Sequence, residues 1–412
     1  MSEPQPFSLR SIAVPAFGPS LLFAIGEGAI LPIVALSVRD LGGSVALAAL
    51  VVTLIGIGSL VSNLPASILT TRYGERWAIV GAAVWCALAM AICMLVPHLA
   101  AFALGVFMIG MASAVFGLAR QSYLTEAVPF HYRARALSTL GGVMRIGLFI
   151  GPFLGAAVIP FAGLPGAYGV GVVALVLSAA LAVGMPDLPG ERRAAALAAA
   201  SDAADTTAPP PTIRAISSSH APIFLTVGIG TLLVSAVRAS RQAVVPLWAD
   251  HIGLDAATTS LIYGLAGGID MLVFYPAGKI MDRKGRTWVA VPSMLCMGLA
   301  LLAMPLAHSA GTLLIAALMV GFGNGIGSGM IMTLGADYSP AVGRAHFLGV
   351  WRLMADLGST GGPALLSGAT ALFSLAAGVF CTGLVALAAG AVLWYWIPRT
   401  AKHPRDPSLR SG

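Results

Sequence analysis

Long apolar runs separated by short polar connectors extend along the whole chain. An apolar run of about twenty residues is long enough to cross the hydrocarbon core of a membrane as a helix. The pattern predicts twelve such spans, numbered in chain order, at residues 13–38, 45–69, 77–96, 99–121, 137–160, 166–185, 222–248, 258–280, 288–307, 311–332, 347–370 and 373–397. It therefore predicts an all-α integral membrane fold.

The connector after span 6 is longer than the others and differs from them in composition. It contains the alanine-rich piece 194–200 and a run of three prolines at 209–211, which is typical of a tether that cannot bury a core. We therefore expect four parts: an N-terminal six-helix bundle at 1–185, a cytoplasmic linker at 186–221, a C-terminal six-helix bundle at 222–398 and a cytoplasmic tail at 399–412.

The two halves repeat each other at a constant offset of 211 residues, as Pro65 and Pro276 show. The same offset relates Gly74 to Gly285, Trp77 to Trp288, Glu126 to Asp337, Arg133 to Arg344, Gly147 to Gly358, Gly151 to Gly362 and Pro152 to Pro363. Two six-span repeats of this kind are parallel repeats, related by an axis along the membrane normal. The interface between them is the natural place for a ligand path.

Composition and charge support a membrane protein rather than a soluble one. Hydrophobic residues make up 58% of the chain and charged residues only 9%, whereas soluble domains carry about 25% charged residues. Basic residues are concentrated in the connectors on one side of the predicted membrane, at Arg72, Arg76, Arg133, Arg135, Arg192, Arg193, Arg214, Arg283, Lys284, Arg286 and Arg344 and in the tail. The opposite connectors carry only Arg39. This asymmetry predicts a multi-pass protein of the plasma (inner) membrane with both termini cytoplasmic, and no nucleic-acid partner.

The cysteines do not form a metal or disulfide pattern. Cys86, Cys93, Cys296 and Cys381 all lie inside apolar runs and have no partners at metal-ligand spacing. The sequence also lacks a nucleophile–base constellation. We therefore expect no metal, no cofactor and no enzymatic activity.

A glycine-punctuated basic loop lies between spans 8 and 9. It reads Gly278, Ile280, Met281, Asp282, Arg283, Gly285 and Arg286 at the positions of the pattern Gly-x-Leu-Ala-Asp-Arg-x-Gly-Arg-Arg. The copy between spans 2 and 3 has Ser67, Leu69, Thr70, Thr71, Arg72, Gly74, Glu75 and Arg76, with Thr71 in place of the aspartate. With these loops and twelve spans, nearly the whole chain resembles the major facilitator superfamily.

That resemblance implies two pseudo-symmetric six-helix bundles around a central cavity that opens to alternate sides. It also implies that the two loops and the nearby helix ends act as gates, at Arg72, Gly74, Glu126, Gly278, Asp282, Arg283, Gly285, Arg286, Asp337 and Arg344. In span 5, Gly147, Gly151 and Pro152 resemble the signature of the drug–proton antiporter branch and add a gating hinge. The Arg-x-x-Gln-Gly pattern of that branch is missing from span 4.

Apart from Arg120 and Lys279 at span ends, seven charged residues lie inside predicted spans, where each costs roughly 2.5–3.5 kcal/mol on insertion scales and marks function by default. They are Glu27, Arg145, Arg238, Arg241, Asp270, Arg352 and Asp356, and with Asn324 of the glycine-rich span 10 they form the predicted substrate site. The candidates for proton coupling are Glu27, Asp270 and Asp356. The 211 offset pairs Glu27 with Arg238 and Arg145 with Asp356, which predicts two couples of opposite charge across the cavity.

Simpler interpretations remain open for several of these charges. Arg352 and Asp356 stand four residues apart and can neutralise each other on one helix. Asp270 can serve as a structural partner of Arg238 or Arg241. Arg120 is expected to be a charge at the end of span 4, paired with Glu126.

The resemblance and the embedded charges together lead to the predicted function. We expect proton-coupled export of small amphipathic organic compounds, with a small-molecule substrate, protons and the lipid bilayer as partners, by a monomer. The one surplus positive charge among the embedded residues favours neutral or anionic substrates over lipophilic cations. The alternatives are uptake or exchange of an organic anion held by the embedded arginines and, less in keeping with the sequence, a non-transporting membrane sensor.

Overall fold

The computed structural model describes residues 13–128, 130–186, 213–340 and 343–400. The elements formed by these residues are helical, and none is a strand. The helices of the first half are Ala13–Ile30 and Val34–Asp40 for span 1, Val45–Tyr73 for span 2, Glu75–Leu95 for span 3, Leu99–Ala127 for span 4 and Phe130–Val183 for spans 5 and 6 together. Gly163 has non-helical backbone angles (φ 64°, ψ −167°) and separates spans 5 and 6.

The second half repeats this arrangement with more irregular helices. A short helix, Ile213–Ser219, comes first. Span 7 consists of Ala221–Ile223, the π-helical turn Phe224–Gly228 and Ile229–His251; span 8 is Ala256–Lys284; span 9 is Thr287–Ala303 with the 3₁₀ turn Met304–Leu306; span 10 is Ala310–Ile326 and Met330–Tyr338; span 11 is Arg344–Leu372; span 12 is Leu375–Thr400.

Each of the twelve predicted spans coincides with a helix over most of its length. Among the described residues, ten helical segments are long and apolar enough to cross a membrane, and one of them, Ala136–Val183, contains spans 5 and 6. Span 11 lies on a further helix, which carries the charged residues Arg352 and Asp356. The predicted all-α membrane fold is confirmed.

Contacts between residues divide the chain into two compact units. Unit 1 contains Met1–Ser44, Leu54–Ala208 and Asp255–Gly264, and unit 2 contains Val45–Thr53, Pro209–Leu254 and Leu265–Gly412. The predicted domain limits at 185, 221 and 398 stay a prediction. Residues 187–212, which are most of the predicted linker, and tail residues 401–412 lie outside the described residues.

The 211-residue repeat is visible in how helices pack within each unit. A Cβ atom added at Gly110 of span 4 would lie 2.1 Å from the carbonyl oxygen of Ile55 in span 2. At the equivalent positions, a Cβ at Gly321 of span 10 would lie 2.2 Å from the carbonyl oxygen of Ala266 in span 8. Both helix pairs therefore touch backbone to backbone, which only glycine permits.

The predicted hinge glycines of span 5 make the same kind of contact. A Cβ at Gly151 would lie 2.5 Å from the carbonyl oxygen of Ile25 in span 1, and a Cβ at Gly362 would lie 2.1 Å from that of Ala236 in span 7. Gly147 and Pro152, beside Gly151, are buried as well. Spans 1 and 5 in one unit, and spans 7 and 11 in the other, thus pack in the same register.

The loop at 278–286 is shorter than the sequence indicates. The helix of span 8 continues through Gly278 and Asp282 as far as Lys284, so the turn itself consists of Gly285 and Arg286. Gly285 has φ +94°, and Gly74 at the equivalent turn has φ +85°, a left-handed conformation that favours glycine. The predicted basic loop is therefore about two turns of helix followed by a tight turn.

Candidate functional site

Glu27 of span 1 and Ser113 of span 4 form the centre of a polar site in unit 1. The Ser113 hydroxyl donates a hydrogen bond to Oε1 of Glu27. One turn away on each helix, the rings of Phe23 and Phe116 stack at a centroid distance of 3.9 Å and an angle of 17°. The aromatic stack fixes the two helices so that the carboxylate and the hydroxyl meet.

Arg120 completes this site. It follows Ser113 and Phe116 at helical spacing, so the three side chains share one face of span 4. Its guanidinium lies 6.0 Å from the Phe116 ring, and its charge acts on Glu27. Its Nε and Nη1 atoms are buried and have no hydrogen-bond partner among the described residues. The expected pairing of Arg120 with Glu126 is wrong, because the face of span 4 that carries Arg120 turns toward span 1.

Asp270 of span 8 is the centre of a second polar site, in unit 2. Its side chain is buried, and its Oδ2 atom accepts a hydrogen bond of 2.6 Å from the Asn324 amide. Arg241 Nη2 lies 3.5 Å from the same oxygen, and the Ser328 hydroxyl lies 3.5 Å from Oδ1. The structure therefore brings together Asp270, Arg241 and Asn324, three of the predicted site residues.

Span 10 is interrupted beside Asp270. The first helix ends at Ile326 and the second begins at Met330, with Gly329 between them at φ +80°. The break frees the carbonyl oxygen of Asn324, which accepts hydrogen bonds from Arg238 Nη2 at 3.2 Å and from the Ser328 hydroxyl at 3.1 Å. Non-helical backbone at membrane depth is tolerated where it is buried in protein or lines a cavity, and interrupted helices of this kind form binding sites in transporters.

The two sites occupy equivalent positions of the repeat. The 211 offset relates Glu27 to Arg238 and Ser113 to Asn324. Within each unit the two bonded residues are 86 positions apart in sequence. In unit 1 the span-1 residue is an anion that accepts a hydrogen bond, whereas in unit 2 its counterpart is a cation that donates one. Sequence reasoning missed Ser113, although the offset from Asn324 points directly to it.

The remaining embedded charges lie on spans 5 and 11. Arg352 Nε is 3.6 Å from Asp356 Oδ2 on the same helix, and the Arg352 side chain is 66% exposed. Arg145 is half-buried in span 5. The two predicted couples, Glu27 with Arg238 and Arg145 with Asp356, each join residues of different units, and they stay predictions.

The ion pair at the turn between spans 8 and 9 involves Arg286. Its Nε and Nη2 atoms lie 2.7 and 3.2 Å from the carboxylate oxygens of Asp337, and these hydrogen bonds raise the pKa of Arg286 above its ordinary value. Asp282, Arg283 and Arg344, which are among the predicted gating residues, are exposed. At the position equivalent to Arg286, unit 1 has Glu75, which accepts a 3.0 Å hydrogen bond from Ser122.

A helical membrane fold with paired ionisable groups on its spans and an interrupted span defines a secondary transporter. The model of the Major Facilitator Superfamily matches residues 20–363 and 227–411. The chain belongs to the major facilitator superfamily, and this membership points to a transporter rather than an enzyme.

Solved structures of transporters share this fold at low sequence identity. A bacterial homologue of the human lysosomal transporter Spinster, in an inward-facing and unoccupied conformation, has TM-score 0.76 and 13% identity, over 98% of this chain and all of that one (100%). A D-xylose-proton symporter has TM-score 0.73 and 16% identity, over 95% and 98% of the two chains. The nucleoside transporter NupG has TM-score 0.70 and 13% identity, over 93% and 98%. Comparison with curated protein sequences gave no significant match.

Proposed function

We propose that the protein exports small amphipathic organic compounds in exchange for protons by alternating access. Glu27 is the carboxylate that binds the proton. The observation that supports this is its setting in span 1, where Ser113 donates to the carboxylate and the charge of Arg120 lies close by. When Glu27 is ionised, its charge balances that of Arg120; when it is protonated, the positive charge of Arg120 is left unbalanced.

Protonation of Glu27 changes the environment of Arg120. When Glu27 is ionised, it compensates the charge of the buried guanidinium. When Glu27 takes up a proton, Arg120 becomes a buried charge without a counterion, which costs several kcal/mol. A conformation in which water or an anionic group of the substrate reaches Arg120 is then favoured. Proton binding thereby shifts the equilibrium between conformations, as coupled transport requires.

The second polar site fits the substrate. The cluster contains two arginines, Arg238 and Arg241, and one carboxylate, Asp270. These three side chains together carry one surplus positive charge. That balance favours a neutral or anionic amphipath. Proton coupling is compatible with the fold, since one solved relative is described as a D-xylose-proton symporter. The direction of export rests on the resemblance of Gly147, Gly151 and Pro152 to the drug–proton antiporter pattern.

Transport by purified protein in liposomes tests the proposal. With an imposed proton gradient, we expect counter-movement of protons and an amphipathic compound, recorded by a pH-sensitive dye inside the vesicles. Glu27→Gln is expected to abolish the proton movement, whereas Asp40→Asn, at the exposed end of the same span, retains it. Unchanged coupling in Glu27→Gln would rule out this carboxylate, and no proton-driven movement of any compound would reject the mechanism.

A second candidate function is uptake or exchange of an organic anion. It is favoured by the donors that converge at the break in span 10, where Arg238 already binds a backbone oxygen. Counterflow of an anion without a proton gradient, lost in Arg238→Ala, would establish it. For either function we propose a monomer in the plasma (inner) membrane with both termini cytoplasmic.

A further inference from the structure

A groove of about 540 Å³ lies between spans 2, 3 and 4 of unit 1. It is lined by Pro65 and Leu69 of span 2, by Gly81 and Trp85 of span 3, and by apolar residues of span 4. Its volume falls within the range of about 300–1,000 Å³ that is typical of small-molecule sites. Neither polar site described above contributes a residue to it.

The groove has the depth of one leaflet of a bilayer. Along span 2 it extends from Ser62 to Tyr73, a rise of about 16 Å at about 1.5 Å per residue. Half of the hydrocarbon core of a membrane is about 15 Å. An acyl chain that enters at Tyr73 therefore ends near Ser62.

The mouth of the groove is basic and aromatic. The guanidinium of Arg72 lies 5.7 Å from the ring of Tyr73, and that of Arg76 lies 5.2 Å from the ring of Trp77. Glu75 stands between them in sequence and accepts a 3.0 Å hydrogen bond from Ser122. Two arginines and one carboxylate give the stretch 72–76 a net positive charge. Tyrosine and tryptophan are enriched at membrane interfaces, and their rings hold the two cations at that level.

We propose that this groove binds one anionic phospholipid, with its phosphate at Arg72 and Arg76 and an acyl chain along Leu69, Gly81 and Trp85. The charge distribution places the mouth on the cytoplasmic side, where anionic lipids attract basic residues. A zwitterionic lipid of the same chain length fills the same groove but gains little from the arginines. The site is independent of the transport mechanism proposed above.

Lipid binding to delipidated protein tests this assignment. Phosphatidylglycerol and phosphatidylcholine with identical acyl chains are added to protein in detergent, and bound lipid is counted by native mass spectrometry. We expect phosphatidylglycerol to bind more tightly, and Arg72→Ala to weaken it about fivefold, the equivalent of about 1 kcal/mol for one arginine.

A matched pair of glycine substitutions tests the groove itself. A Cβ at Gly81 meets no atom within 4 Å, so Gly81→Leu fills the groove without a backbone clash. Gly349 is also exposed with open space around it, and Gly349→Leu is the control. We expect loss of most phosphatidylglycerol binding in the first variant only. If Gly81→Leu does not fold, Arg72→Ala still tests the headgroup contact.

Two results would overturn the proposal. Equal binding of the two lipids, or unchanged binding in a folded Gly81→Leu variant, would show that the groove is not a specific lipid site. The Ser62 hydroxyl is buried and has no partner among the described residues, but a lipid ester does not reach it. Ser62→Ala is therefore expected to leave phosphatidylglycerol binding unchanged, and it serves as a control for substitution inside the groove.

Discussion

The polar sites of the two units occupy equivalent backbone positions and carry opposite charges. Glu27 accepts a hydrogen bond from Ser113 in unit 1, and Arg238 donates one to the Asn324 carbonyl in unit 2. The glycines that set the helix contacts are the same in both units, so the backbone arrangement has been kept while the side chains have diverged. This difference favours a division of roles, with proton binding in unit 1 and substrate binding in unit 2.

The two units also differ in the continuity of one helix. Span 10 is interrupted at Gly329, whose φ of +80° is strained for any other residue. The equivalent residue in span 4 is Leu118, and there the helix Leu99–Ala127 is uninterrupted. Unit 2 therefore offers a backbone carbonyl to Arg238, whereas in unit 1 the side chain of Ser113 binds Glu27.

The largest expected effect separates the two carboxylates. Glu27→Gln is expected to abolish proton-driven transport while substrate still binds. Asp270→Asn is expected to weaken substrate binding about tenfold, the equivalent of about 1.4 kcal/mol, because Arg241 and Asn324 lose their charged partner. Binding by thermal shift and transport in liposomes are measured for both variants. Loss of coupling in both, with binding unchanged, would argue against separate roles.

The second largest effect concerns the close helix contacts at glycine that the two units share. Gly110→Ala and Gly321→Ala each place a Cβ near 2 Å from a carbonyl oxygen, and overpacking of this kind costs about 1–3 kcal/mol. Both are expected to lower thermal stability by similar amounts. The controls are Gly117→Ala in span 4 and Gly311→Ala in span 10, where a Cβ meets no atom within 4 Å. If alanine lowered thermal stability at only one of Gly110 and Gly321, the two units would not share the same close helix contact.

A smaller effect is expected at the interruption of span 10. Gly329→Ala forces a Cβ into the left-handed region, at a cost of about 1–2 kcal/mol, and favours a continuous helix that withdraws the Asn324 carbonyl from Arg238. Slower hydrogen exchange at residues 327–330, where a continuous helix would protect the amides, is the expected result. Leu118→Gly is the comparison, and it should cost about 1 kcal/mol as a helix glycine without interrupting span 4. Equal hydrogen exchange in Gly329→Ala and in the unsubstituted protein would show that the interruption of span 10 does not depend on glycine at this position.

Hydropathy and the constant offset predict most of the fold and only part of the sites. The spans were predicted from the length of the apolar runs, because a helix needs about twenty apolar residues to cross a membrane. The embedded charges are the charged residues found within those runs. Hydropathy does not show which way a side chain points around its helix. The orientation of Arg120 toward span 1, where its charge acts on Glu27, was therefore missed, and so was the hydrogen bond of Ser113. The break at Gly329 was also missed, since the glycine-rich composition of span 10 does not show where a helix ends.

The smallest expected effect concerns the turns between spans 2 and 3 and between spans 8 and 9. Arg286 pairs with Asp337 on the surface, and exposed ion pairs contribute about 0.2–1 kcal/mol. Arg286→Ala should therefore change thermal stability little. It should nevertheless shift the balance between conformations if this pair closes one of them.

Accessibility of an engineered cysteine near the turn, measured by maleimide labelling, reports that balance. Glu75→Ala, at the equivalent position of unit 1, is the comparison, because its partner Ser122 is uncharged. A larger change in labelling for Arg286→Ala would locate the gate in unit 2, where the aspartate of the loop pattern, Asp282, is also present. Asp282→Asn should then exceed Thr71→Ala in the same assay. Equal effects at the two turns would mean that the gate does not depend on the charges by which the two loops differ.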